Sequence, residues 1–144
     1  MKEIKKVFAQ FLSGRNLRVT PQRSLILDVF LSTERHLTCE ELYNLVKDKD
    51  KSIGWSTVFR TLKLLCESNI AGEVDLGDGL IRFEHKYGHE HHDHLICSKC
   101  GKLVEIVEPK IEKLQKKMAE IHDFTITGHK MDIFGICKEC RGEN

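Results

Sequence analysis

Apolar residues recur at helical spacing through the first part of the chain. Ile4, Val7, Phe8, Phe11 and Leu12 mark one stripe, and Gly14 stands where such a helix would stop, so a short amphipathic helix is expected at the start. Thr20 offers an N-cap oxygen and Pro21 suits a first helical position. Leu25, Ile26, Val29 and Phe30 then carry a second stripe to about Ser32. Thr38-Cys39-Glu40-Glu41 reads as a capping box opening a helix with Leu42, Leu45 and Val46 on its inner face. In SIGWSTVFRTLKLLCESN, Val58, Leu62 and Leu65 form the inward stripe of a fourth helix, leaving Ser56, Thr57, Arg60, Thr61 and Lys63 on its other faces.

The period then changes. GEVDLGDGLIRFE alternates on either side of Asp78-Gly79, a dipeptide that favours a tight hairpin. Helices closed by a hairpin are the order of a winged helix-turn-helix, whose last helix enters the major groove of DNA. After Glu84 the stretch HKYGHEHHDH has no apolar period and reads as a hinge. HLIC, KLVEIV and a long FTITGHKMDIFGIC read as strands beyond it, and Pro109 to about His122, with Ile111, Leu114, Met118 and Ile121, reads as the helix between them. The expected class is therefore α+β: a winged helix over 1–84, a hinge and metal-ligand segment over 85–94, and a small α/β domain over 95–144. Roughly 60 residues make a thin core, so the second part calls for a metal staple, a partner subunit, or both.

Composition narrows the function. The net charge of +1 hides six basic residues against the single acid Glu3 in residues 1–23, and Lys51, Arg60 and Lys63 without an acid in 51–63. Such segments suit a polyanion where they share a face. No apolar run approaches the ~20 residues of a membrane helix. MKEIKKVFAQFLSGR is amphipathic and is followed by no small-residue cleavage site, so a cytoplasmic protein without membrane contact is expected. In that compartment six cysteines are better used for metal than for disulfides.

Cys97-x-x-Cys100-Gly and Cys137-x-x-Cys140 are matching knuckles, and their four thiolates suit a tetrahedral structural Zn2+. The 36 residues between them exceed the usual zinc-ribbon gap but hold a helix and a strand. His89-Glu90-His91-His92-Asp93-His94 contains the H-x-H-x-D-H pattern of metallo-β-lactamase-type hydrolases. Those folds are larger and need further histidines, whereas only His122 and His129 remain downstream. If the segment is a strand, His92 and His94 face one side while His91 and Asp93 face the other, so one strand can serve two ions. Imidazole with carboxylate suits exchangeable Fe2+, Mn2+, Co2+ or Zn2+. A metal-storage or zinc-ribbon interaction module is the remaining alternative.

RVTPQR, HLTCEELY, WSTVFR, RFE, HHDHLICSKCGK and CKEC, in that order, resemble the ferric uptake regulator (Fur) family over nearly the whole chain. The resemblance implies a homodimeric repressor, with a tetramer as the larger alternative, that binds a palindromic double-stranded DNA operator when a regulatory metal is bound, and that is not an enzyme. It implies a dimerisation role for 95–144, and a regulatory site of His36, Glu84, His92, His94 and Glu105 taking Fe2+ or Mn2+, with Zn2+ or Co2+ able to substitute. A second site would use His91, Asp93, Glu112 and His129. DNA contacts are expected from Arg18 and from Ser56, Thr57, Phe59, Arg60 and Thr61 on the fourth helix. Phe59 stands where the family usually has tyrosine, and the loop from Glu84 to His92 is about one residue longer than its commonest form. Peroxide or zinc sensing within the family is the alternative; Glu105, and the lack of cysteine in that loop, resemble iron sensors more closely.

Overall fold

The computed structural model describes residues 1–88 and 93–142. It forms two compact units, the first holding Met1–Asp75 and the chain from Gly79 through the third strand, the second holding Leu76–Asp78 and the chain from the fourth strand onward. The first unit holds α1 (Lys2–Gly14), α2 (Pro21–Ser32), β1 (Leu37–Thr38), α3 (Cys39–Lys49), α4 (Trp55–Glu67), β2 (Ala71–Asp75) and β3 (Ile81–His85). The expected caps are in place. Thr20 Oγ1 accepts the Arg23 amide at 3.1 Å. Thr38 Oγ1 accepts the Glu41 amide at 3.1 Å while Glu41 Oε1 accepts the Thr38 amide at 3.2 Å, closing the box reciprocally. These bonds satisfy amides that have no partner inside a helix.

The apolar stripes meet in one core. Phe8 and Leu12 of α1, Ile26 and Phe30 of α2, Leu42 and Val46 of α3, and Val58, Leu62 and Leu65 of α4 are all buried together with Phe83 of β3. Each such side chain contributes about 1.5–3 kcal/mol when fully buried. The strands form an antiparallel sheet in the order β1-β3-β2. Asp75 pairs with Ile81, so the hairpin closes through the loop 76–80 and not through a two-residue turn at Asp78-Gly79. Gly77 and Gly79 both take positive φ there, a conformation open to residues without a Cβ. The unit is the winged helix-turn-helix that the pattern predicts.

The second unit holds β4 (Asp93–Cys97), β5 (Leu103–Ile106), α5 (Pro109–Ile121) and β6 (Asp132–Gly135). β4 is central, antiparallel to β5 and parallel to β6. The long strand expected over 124–137 is shorter than its pattern. Among the described residues β6 pairs with β4 from His94↔Asp132 to Cys97↔Gly135, the Met131 carbonyl accepting the His94 amide at 3.2 Å just before it. The core is thin, with Ile96 and Cys97 its buried apolar residues among those described. Leu114, Met118 and Ile121 of α5 are exposed, as is the row Val104–Leu95–Ile133 that register places across the sheet. No described helix is long and apolar enough to cross a membrane.

Candidate metal centres and nucleic-acid interface

The two knuckles converge. One sulfur from each of Cys97, Cys100, Cys137 and Cys140 lies within 4.8 Å of all the others. Four ligands about 2.3 Å from a zinc ion sit roughly 3.8 Å apart at the corners of a tetrahedron. The Cys100 and Cys137 sulfurs are 3.7 Å apart, matching that edge. Parallel pairing of β4 with β6 brings the knuckles together, since each follows directly on one of those strands.

Electrostatics support the same use. Hydrogen bonds from the Cys100 and then the Cys137 amide lower the Cys97 thiol to about 6. The Cys140 thiol, hydrogen-bonded to Cys137 and Cys100, is pushed up to about 12. One sulfur is thus ready as a thiolate while another resists ionising beside it, and a shared cation is what lets all four ionise together. Cys39 and Cys66 stand apart from this chemistry. Burial pushes each of their thiols up to about 11, as expected of packing residues.

The histidine and carboxylate donors are placed unit by unit. In the first unit, the pairing Leu37↔Phe83 sets His36 opposite Glu84. The His36 Nε2 donates to Glu84 Oε2 at 2.8 Å, both side chains being partly buried. In the second unit, His94 is buried on the central strand, and register flanks it with Glu105 on β5 and Asp132 on β6. His94 Nδ1 donates to Asp132 Oδ1 at 3.1 Å. His91 and His92 lie outside the described residues. Of the second expected ligand set, Glu112 and His129 line one cleft of about 460 Å3 beside Gln115 and Phe124, and Asp93 is buried at the start of β4.

The exposed side of α4 carries Ser56 and Arg60, with Thr57 and Phe59 partly exposed. Thr61 departs from the sequence expectation. It is 1% exposed and its hydroxyl donates to the Thr57 carbonyl at 2.8 Å, because its position shares the face of Val58, Leu62 and Leu65. A buried, internally bonded hydroxyl has no reach to a base edge, so Thr61 belongs to the packing side of the helix. Arg18 is exposed on the segment between α1 and α2.

Three features escaped the sequence reading. Trp55 stacks on Phe59, with centroids 5.2 Å apart and planes 8° from parallel, and Lys63 Nζ lies 5.4 Å from the same ring. Their spacing along the helix could have announced that row. Lys63 also pairs with Glu73 of β2 at 2.8 Å, so its charge is matched within the fold. His85 donates to the Phe30 carbonyl at 2.6 Å and ties β3 to α2. No sequence signal marks that contact, nor the one between His94 and Asp132, because both depend on tertiary register.

Comparison with known proteins agrees with this architecture. The model of the ferric uptake regulator family matches residues 14–134. The ferric uptake regulation protein of Campylobacter jejuni is 36% identical over 138 residues, covering 94% of this chain and 87% of its own length. The peroxide-responsive repressor of Staphylococcus epidermidis is 34% identical over 132 residues, covering 92% of this chain and 87% of its own. Among solved structures, the Helicobacter pylori ferric uptake regulator, described as having three functional metal-binding sites, superimposes with a TM-score of 0.79 at 30% identity, covering 97% of this chain and 93% of that one.

Proposed function

Because the chain belongs to the ferric uptake regulator family of metal-responsive regulators, we propose that it is an iron-sensing repressor that binds a palindromic operator as a homodimer when its regulatory site is loaded. The observation that carries the reading is the division of labour among donors. Four sulfurs gather into a closed thiolate cage, while His36 with Glu84 and His94 beside Glu105 provide harder nitrogen and oxygen donors on separate units. The cage takes Zn2+ and staples the knuckles. The imidazole and carboxylate donors, completed by His92, take Fe2+ or Mn2+ and exchange it, since such sites hold divalent ions less tightly than thiolates do.

An ion bound jointly by donors of both units favours whichever mutual arrangement satisfies all of them. It shifts the population towards that arrangement by its difference in affinity between the two states and by no more. If DNA prefers the same arrangement, metal and DNA strengthen each other's binding equally. Asp93, Glu112 and His129, with His91, serve as a second site within the second unit.

Arg60 reaches a guanine edge or a phosphate, Phe59 meets thymine methyls, and Ser56 and Thr57 bond along the groove. Arg18 holds the backbone. Exposed apolar residues on α5 and across the second sheet support the homodimer, because a core this thin gains stability by burying them against a second copy. Glu105 supports iron over peroxide as the sensed signal, and the S. epidermidis relative makes peroxide the alternative to be tested.

The test is selection from a pool of random duplexes by protein carrying only its zinc, with and without added Mn2+ or anaerobic Fe2+. Enrichment of a two-fold-symmetric sequence only with added metal supports the reading. Equal enrichment without it rejects metal control, and loss of binding only after peroxide treatment favours the alternative.

A further inference from the structure

Asp132 belongs to neither ligand set described above, yet it is in direct contact with a proposed metal ligand. Its Oδ1 accepts the Nδ1 proton of His94 at 3.1 Å, and the two side chains are only 12% and 5% exposed. Strand register produces the contact, because His94 and Asp132 are direct partners in the β4–β6 pairing. On its outer side the carboxylate is backed by Lys130, whose Nζ lies 3.7 Å from Oδ2. Asp132 is thus held from two directions, by the ring it accepts from and by a cation behind it.

A neutral imidazole carries one proton and one lone pair, and the hydrogen bond made by one nitrogen decides which nitrogen is left for a metal. With Nδ1–H committed to a buried carboxylate, the lone pair of His94 resides on Nε2, and the ring plane is set before any ion arrives. The charge of the carboxylate also makes the imidazole a better electron donor.

We propose that Asp132 is a positioning residue for the regulatory metal, holding His94 in the tautomer and orientation in which Nε2 binds the ion. The inference rests on His94 being a ligand of that metal. It differs from a structural role, which would affect folding alone, and from direct ligation, which would place a carboxylate oxygen on the ion.

Co2+ titrated into the full-length, zinc-loaded protein separates these readings, with affinity read by calorimetry and the ligand field by visible absorption. Asp132→Ala is expected to weaken Co2+ binding about 10- to 100-fold. Asp132→Asn, whose amide oxygen accepts the same hydrogen bond, is expected to weaken it by only a few-fold. Both variants should reach the wild-type visible spectrum at saturation, because no ligand is removed. Unchanged affinity in Asp132→Ala overturns the proposal, and so does a saturated Asp132→Asn spectrum showing an altered ligand set. Zinc content and thermal melting are followed in parallel. Should Asp132→Ala lose its zinc, Asp132→Asn decides alone: a few-fold loss with an unaltered spectrum supports the positioning role, and wild-type affinity rejects it. If His94→Ala leaves Co2+ affinity unchanged, the regulatory-site reading itself fails, independently of Asp132.

Discussion

His36 and Glu84 stand 48 residues apart in sequence and 2.8 Å apart in space, joined from Nε2 to Oε2. The pairing of β1 with β3 explains it, since Leu37 opposite Phe83 leaves His36 opposite Glu84 at the next position. A two-residue strand therefore places a nitrogen and an oxygen donor together at the end of the winged helix.

His36→Ala should weaken Mn2+ binding by roughly 10-fold or more, about 1.4 kcal/mol, while leaving thermal melting of the zinc-loaded protein close to wild type. His36 is partly buried but outside the apolar core, so little packing is lost. Calorimetric titration reads the affinity. An unchanged value would remove His36 from the regulatory site.

The thiol cage predicts a selective pattern of alkylation. Iodoacetamide should modify few cysteines in the zinc-loaded protein and four after chelation, at Cys97, Cys100, Cys137 and Cys140. Cys39 and Cys66 should lag in both states, since burial raises their thiols and leaves little thiolate at neutral pH. Peptide mapping by mass spectrometry checks the sites. Cys97→Ser should in turn lower the melting temperature of the second unit, because metal binding there contributes to folding.

Arg60→Ala should weaken specific DNA binding by about 1–3 kcal/mol at fixed salt. Arg60 is exposed on α4 away from its buried stripe, so the fold should be unaffected. Electrophoretic mobility shifts with the selected duplex give the comparison. Thr61→Ser should instead leave DNA affinity alone, since that side chain faces inward and keeps its hydroxyl.

Leu95→Asp should convert the protein to a monomer at micromolar concentration. Leu95 lies at the centre of the exposed row with Val104 and Ile133, and a charge there has no partner to meet once a second copy covers it. Analytical ultracentrifugation reports the mass. A stable dimer in this variant would move the interface elsewhere.

Much of this was legible before the structure. Helical stripes, the Thr38 box and the hairpin appear in sequence because they depend on neighbours a few residues apart. The cysteine knuckles announce a metal by spacing alone. Thr61 was misplaced because its hydroxyl reads as polar in sequence, although helix geometry puts it with Val58, Leu62 and Leu65. The observed strand is shorter than the 124–137 pattern because alternation shows what a segment would do with a partner, and among the described residues β4 pairs with it from 94 to 97. Asp132 and His85 gained their roles from register and packing, which no local pattern carries.

The central claim is that an exchangeable metal controls the grip on DNA. Fluorescence anisotropy of a labelled, selected duplex, followed while Mn2+ is titrated into protein retaining only its zinc, tests it most directly. A tightening of affinity by about 10-fold or more, at least 1.4 kcal/mol of coupling, with two protomers bound per duplex, is the expected result. Equal affinity with and without the added ion would contradict it.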